Sequence, residues 1–236
     1  MSKELRRLIV PKSWPVKRKA HYWVTKPSPG AHSISGSVPV NVVARDMLGL
    51  CDTANEVRTI ISNKDMLVDG KKVTNIKQGV GLMDVVSFPK MDAHYRMLVD
   101  RRGKLRLVKV AEEMASWKLC RIENKTTIRG GKTQLNLHDG RNVLVEEDNY
   151  KTGDVLKIEM PSQKILDVYK LAQGNMALIT SGSHAGKVAV VEEIIPTHLS
   201  SENLVNFTDG SSTTKSKVFI IGTTASEIEL PEEAAI

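Results

Sequence analysis

At 236 residues the chain has room for two or three small domains, and only 4% aromatics beside 16 glycines favours several small β-rich units over one aromatic core. No apolar run approaches a membrane-spanning length and Leu8-Ile9-Val10 is too short for a signal core, so a soluble, cytoplasmic protein without a membrane partner is expected. The net charge of +7 sits at one end: residues 1–30 hold eight Lys or Arg against Glu4 alone, and the rest of the chain holds 26 of each sign. That asymmetry implies a polyanion met by the N-terminal side.

The first 37 residues read as a basic strap. Pro11, Pro15, Pro27 and Pro29 forbid a long helix. Arg6, Arg7, Lys12, Lys17, Arg18, Lys19 and Lys26 interleave with Trp14, His21, Tyr22 and Trp23. Cations neutralise phosphates and flat rings stack on unpaired bases, so the composition suits an RNA-binding segment that orders on RNA.

From Val40 to Phe88 the pattern predicts two short helices and a hairpin. Val40, Val43, Met47 and Leu50 recur at helical spacing. Thr53-Ala54-Asn55-Glu56 has the form of a capping box opening a helix that buries Ala54, Val57, Ile60 and Ile61. Met66-Leu67-Val68, Asp69-Gly70, Lys71-Lys72-Val73 then reads as strand, tight turn, strand. Thr53, Asn55, Arg58, Lys64, Lys71 and Lys72 form the polar edge that could meet an RNA backbone.

After Pro89 the alternation becomes β. Tyr95–Val99 and Lys104–Val108 flank a turn, and Trp117–Ile122, Thr126–Arg129, Thr133–Leu137, Asn142–Val145 and Val155–Met160 continue an antiparallel meander. Asn175–Thr180 and Val188–Ile194 bracket a loop carrying Gly182, His184, Gly186 and Lys187, where His184 and Lys187 are candidate RNA contacts. Residues 227–236 read as a loose acidic end.

Catalytic chemistry finds little support. Gly131-Lys132-Thr133 lacks the upstream glycine of a phosphate-binding loop, and the Gly182 to Lys187 run is one residue short of it. The six histidines show no metal-ligand spacing, and Cys51 and Cys120 stand far apart, as reduced thiols would. No cofactor, metal, catalytic residue or small-molecule substrate is expected.

The run Glu56-Val57-Arg58-Thr59-Ile60-Ile61 followed by Met66–Val73 resembles the S4-like RNA-binding module, with Lys64 where the module's signature carries a glycine. Pro11-Lys12-Ser13-Trp14-Pro15, Lys26-Pro27-Ser28-Pro29-Gly30 and the run from Gly130 to Asn142 resemble the S4e family of small-subunit ribosomal proteins, and the loop after Ile179 resembles a KOW motif. The resemblance implies a multi-domain α+β chain. Its parts would be a strap (1–37), a helix-helix-hairpin RNA-binding module (38–92), an antiparallel β central domain (93–170), an SH3-like β-barrel with the KOW motif (171–224) and an acidic end (225–236). It implies a structural constituent of the small ribosomal subunit, present as a monomer, with small-subunit rRNA and neighbouring ribosomal proteins as partners. The alternative is an RNA-modifying enzyme or an assembly factor carrying the same module, and an enzyme would need a catalytic fold after Phe88.

Overall fold

A computed structural model describes residues 4–146, 148–198 and 201–230. The expected acidic end therefore lies partly outside the described residues, from 231 onward, as does Glu147. The chain divides into two compact units, residues 1–99 with 104–118 and residues 100–103 with 119–236.

In the first unit β1 (Leu5–Arg6) pairs with β2 (Trp23–Val24). β3 (Ser37–Pro39) leads into α1 (Val40–Val42), which continues as a wider turn through Val43–Met47. α2 (Ala54–Ser62) starts on the expected capping box: Thr53 Oγ1 accepts the Glu56 N–H, and Glu56 Oε2 accepts the N–H groups of Asp52 and Thr53. Those bonds favour the ionised carboxylate, so Glu56 titrates below the usual range, held down first by the Asp52 N–H and then by Thr53. Val57 and Ile61 are the buried face of α2, while Ala54 and Ile60 are half-buried.

Lys64 follows α2 at φ 61°, a left-handed conformation. This is the position where the S4-like signature has glycine, and the reason is geometric: only a residue tolerant of positive φ can end the helix there. Next come β4 (Leu67–Val68) and β5 (Lys71–Lys72), joined through Asp69 and Gly70 at φ 50° and 72°, as a two-residue hairpin demands. β6 (Gly79–Gly81) pairs with β3. β7 (Val85–Phe88), β8 (Ala93–Val99) and β9 (Leu105–Val110) complete a sheet in the order β5-β4-β7-β8-β9, and α3 (Glu112–Ala115) follows.

This corrects the expected boundary at 92. β8 pairs with β7 across Val85↔Arg96 to Phe88↔Ala93, so the 93–110 hairpin extends the module's own sheet instead of opening a new domain. Ladder hydrogen bonds across that register carry more weight than the local change in pattern at Pro89.

Two buried ionic groups hold the unit together. Lys118, with 0% exposure, bonds Asp69 at 3.0 Å and also Asp84. His32 Nε2 lies 3.1 Å from both Asp84 oxygens, and Asp84 also accepts the Gly81 N–H. Burial raises the Asp84 pKa, but Lys118 and His32 together outweigh it and leave the carboxyl well below its ordinary value. A Cβ on Gly81 would stand 2.4 Å from the His32 ring, so only glycine lets the strap dock there. Arg96 reaches the carbonyls of Met114 and Trp117, and its guanidinium lies 4.4 Å from the Trp117 ring centre.

The second unit carries two five-stranded sheets. β10 (Trp117–Thr127) starts in the first unit and runs into the second, joining β11 (Thr133–Leu137), β12 (Asn142–Val145), β13 (Val155–Glu159) and β14 (Ile165–Tyr169) in the order β12-β11-β10-β13-β14. Leu135, Leu137, Leu156 and Ile158 share its buried face with Cys120 and Ile122. β15 (Met176–Ile179), β16 (Val188–Ile195), β17 (Leu204–Phe207), β18 (Ser212–Thr214) and β19 (Val218–Gly222) form the other, ordered β18-β17-β16-β15-β19.

Candidate nucleic-acid interface

The strap is folded onto the first unit, and that decides which of its residues face outward. Trp14 is 3% exposed, with its indole N–H donating to Ile34 O at 3.2 Å. Arg7 is also buried, donating to Lys17 O at 2.6 Å and lying 3.6 Å from Asp46. Neither therefore serves as the RNA contact expected of it: Trp14 is core and Arg7 is a clip. The backbone joins in, since Leu105 N–H donates to Ser13 O at 2.8 Å. The segment has its own buried apolar anchors, Val10, Trp14 and Val24.

Arg6, Lys12, Lys17, Arg18, Lys19, His21, Tyr22 and Trp23 are exposed, and Lys26 is half-buried. The Arg6 guanidinium lies 5.6 Å from the Tyr22 ring centre, and Tyr22 meets Trp23 edge to face at 4.7 Å. A cation on β1, a phenol just before β2 and an indole on β2 are thus held side by side. Trp23 and Lys26 line one crevice with Arg58 of α2, which Asn55 Oδ1 holds in place. Sequence reasoning missed Asn41 and Lys77 in the same crevice, because neither belongs to an aromatic or basic run.

Thr53 and Lys64 are exposed at the two ends of α2, Asn55 is exposed on its first turn, and Lys71 and Lys72 are exposed on β5. Thr53 Oγ1 already serves the helix cap. His184 and Lys187 lie in the other unit, on the loop between β15 and β16; His184 is half-buried and Lys187 exposed. Gly182 and Gly186 turn that loop at φ 100° and 75°.

The fold also brings together a group that sequence spacing hid. Cys120, His138 and Asp139 place one potential ligand atom each within 4.8 Å, because β10 and β11 pair antiparallel. Their donors and acceptors are engaged within the chain. Cys120 Sγ and the Arg141 side chain meet Asp139 Oδ2 at 3.6 and 3.3 Å, and His138 Nδ1 accepts the Arg121 N–H at 3.2 Å. The set is accounted for as a hydrogen-bonded core. Cys51 is buried as well, and burial, then Glu56 and Asp52, push its thiol pKa up, away from reactivity.

Comparison with known proteins points one way. The profile of the Ribosomal family S4e matches residues 91–165, and that of the RS4NT domain matches residues 1–35. The chain is 44% identical to the small ribosomal subunit protein eS4 of Methanothermobacter thermautotrophicus over 97% of its own length and 96% of the relative's. It is 38% identical to the eS4 protein of Desulfurococcus amylolyticus over 99% and 97%. The crystal structure of the 30S ribosomal protein S4e from Thermoplasma acidophilum superposes with a TM-score of 0.72 at 37% identity, covering 80% of this chain and 96% of that one. Near-complete coverage of both partners at such identity leaves no room for a shared module on an otherwise different protein: this chain belongs to the ribosomal S4e family.

Proposed function

We propose that this chain is a structural, non-enzymatic constituent of the small ribosomal subunit, acting on cytoplasmic ribosomes as one copy per subunit. The observation that carries the reading is its similarity, over nearly its whole length, to proteins named as small-subunit components. The enzyme alternative needed a catalytic fold after Phe88. The pairs β7–β8, β8–β9, β10–β11, β13–β14 and β15–β16 are all antiparallel, which disfavours a parallel cofactor-binding fold there.

Small-subunit rRNA is the partner whose chemistry fits the exposed cations. Arg6, Lys12, Lys17, Arg18 and Lys19 would neutralise phosphates beside Tyr22 and Trp23, and Arg58, Lys64, Lys71 and Lys72 would present a second edge to an A-form backbone. The second-unit sheet formed by β15 to β19 reads as an SH3-like barrel with a KOW loop, supported by its strand-loop-strand pattern and by the glycines at positive φ. His184 and Lys187 would meet RNA or a neighbouring ribosomal protein there.

Sedimentation of a native extract through a sucrose gradient after a high-salt wash tests the reading. Retention on small subunits at about one copy each is the expected outcome; migration in the free pool would overturn it. For isolated rRNA, about six phosphate contacts should weaken binding roughly a thousandfold between 50 and 200 mM salt.

A further inference from the structure

The crevice beside α2 has a cavity of about 200 Å³. Lys26, Arg58 and Lys77 stand along it with one acid, Glu4, and the Trp23 indole, 49% exposed, forms part of its wall. Asn41 also lines it. This residue of α1 is 1% exposed, its side-chain N–H donates to Thr25 Oγ1 at 2.6 Å, and its Oδ1 has no hydrogen-bond partner among the described residues. The Oδ1 so left is an acceptor, which a base N–H can satisfy and a phosphate oxygen cannot.

A buried polar atom without a partner costs free energy and calls for an explanation, one of which is a group from outside that completes it. We infer that this crevice is a subsite for a single unstacked RNA base, with Trp23 against the ring and Asn41 supplying a hydrogen bond to its edge. The inference rests on the rRNA reading above and adds to it a contact that is not a phosphate contact. Three features select this ligand. The neutral amide and the indole suit a base edge and face, whereas a phosphate would leave both unused. The surrounding cations favour a ligand that arrives on a polyanion and disfavour a Lys or Arg side chain of a protein neighbour. The small volume admits one ring system and excludes a paired duplex, whose bases are stacked away in any case.

The test measures binding of the full-length chain to small-subunit rRNA across a salt series. Trp23→Ala and Asn41→Leu should each weaken binding about tenfold at every salt concentration with the slope unchanged, since neither removes a charge. Arg58→Gln and Lys77→Gln should instead reduce the slope, by about one for each phosphate no longer neutralised. Circular dichroism checks the folding of Asn41→Leu; should that variant unfold, the surface variant Trp23→Ala decides. If the parent keeps its steep slope while the Trp23 and folded Asn41 variants bind as it does, the subsite is overturned and the crevice holds water or a protein side chain. A flat slope in the parent would overturn the rRNA reading itself.

Discussion

Two sets of basic and aromatic side chains in the first unit make opposite use of the same chemistry. Lys118, Arg96, Arg7, Trp117 and Trp14 are buried, tied to carboxylates, backbone carbonyls or the core. Arg6, Arg58, Lys71, Tyr22 and Trp23 stand in solvent. Composition treats the two sets alike. In a basic protein the number of cations therefore says little about how many reach a polyanion; burial and partners decide it. The unit needs both sets, one to fix the strap and sheet, the other to use the surface so fixed.

The buried set should dominate stability. Lys118→Met removes the buried cation that Asp69 and Asp84 share and should cost about 3–5 kcal/mol in urea unfolding; a loss under about 1 kcal/mol would break the contrast. Trp14→Ala should cost a similar 3–5 kcal/mol, roughly, by emptying a core position. Trp23→Ala should change stability by no more than about 0.5 kcal/mol, as surface substitutions do. For the same reason, removing residues 1–30 would not be a clean deletion of an RNA-binding tail: it strips Val10, Trp14 and Val24 from the core and should lower stability as well as affinity.

Acid should act through the same cluster. The folded Asp84 pKa lies below its unfolded value of about 3.9. The stability it contributes is thus fully present well above that unfolded value and declines as pH falls through about 4 toward the folded pKa. Unfolding measured between about pH 7 and 2.5 should show the decline, and Lys118→Met should flatten it. A parent profile without any fall below about pH 4 would contradict the arrangement.

Smaller effects sharpen the exposed side of the comparison. Thr53→Ala removes the α2 cap and should cost about 1 kcal/mol. Lys64→Gly relieves a left-handed backbone and should stabilise by a few tenths to about 1 kcal/mol, while weakening rRNA binding if Lys64 meets phosphate. Thermal melts together with a salt series measure both. Lys71→Gln with Lys72→Gln should leave stability almost untouched and show only in the salt slope.

Local sequence determined the local structure well. The capping box at Thr53, the Asp69-Gly70 turn, the hairpin around Arg101 and the β alternation after Trp117 all rest on interactions within a few residues, and all were legible. Family membership was legible too, because its motifs are spread along the chain. The tertiary structure alone decided which strap residues are core, that β8 and β9 extend the module's sheet, and that Asp69, Asp84, Lys118 and His32 meet. It also placed Asn41 in the crevice with Trp23 and Arg58. The reason is separation: Lys118 lies 49 residues from Asp69 and His32 lies 52 from Asp84. Periodicity and turn chemistry carry no information over such spans. Only the packing of sheet and strap brings those charges together, and only their burial gives them their role.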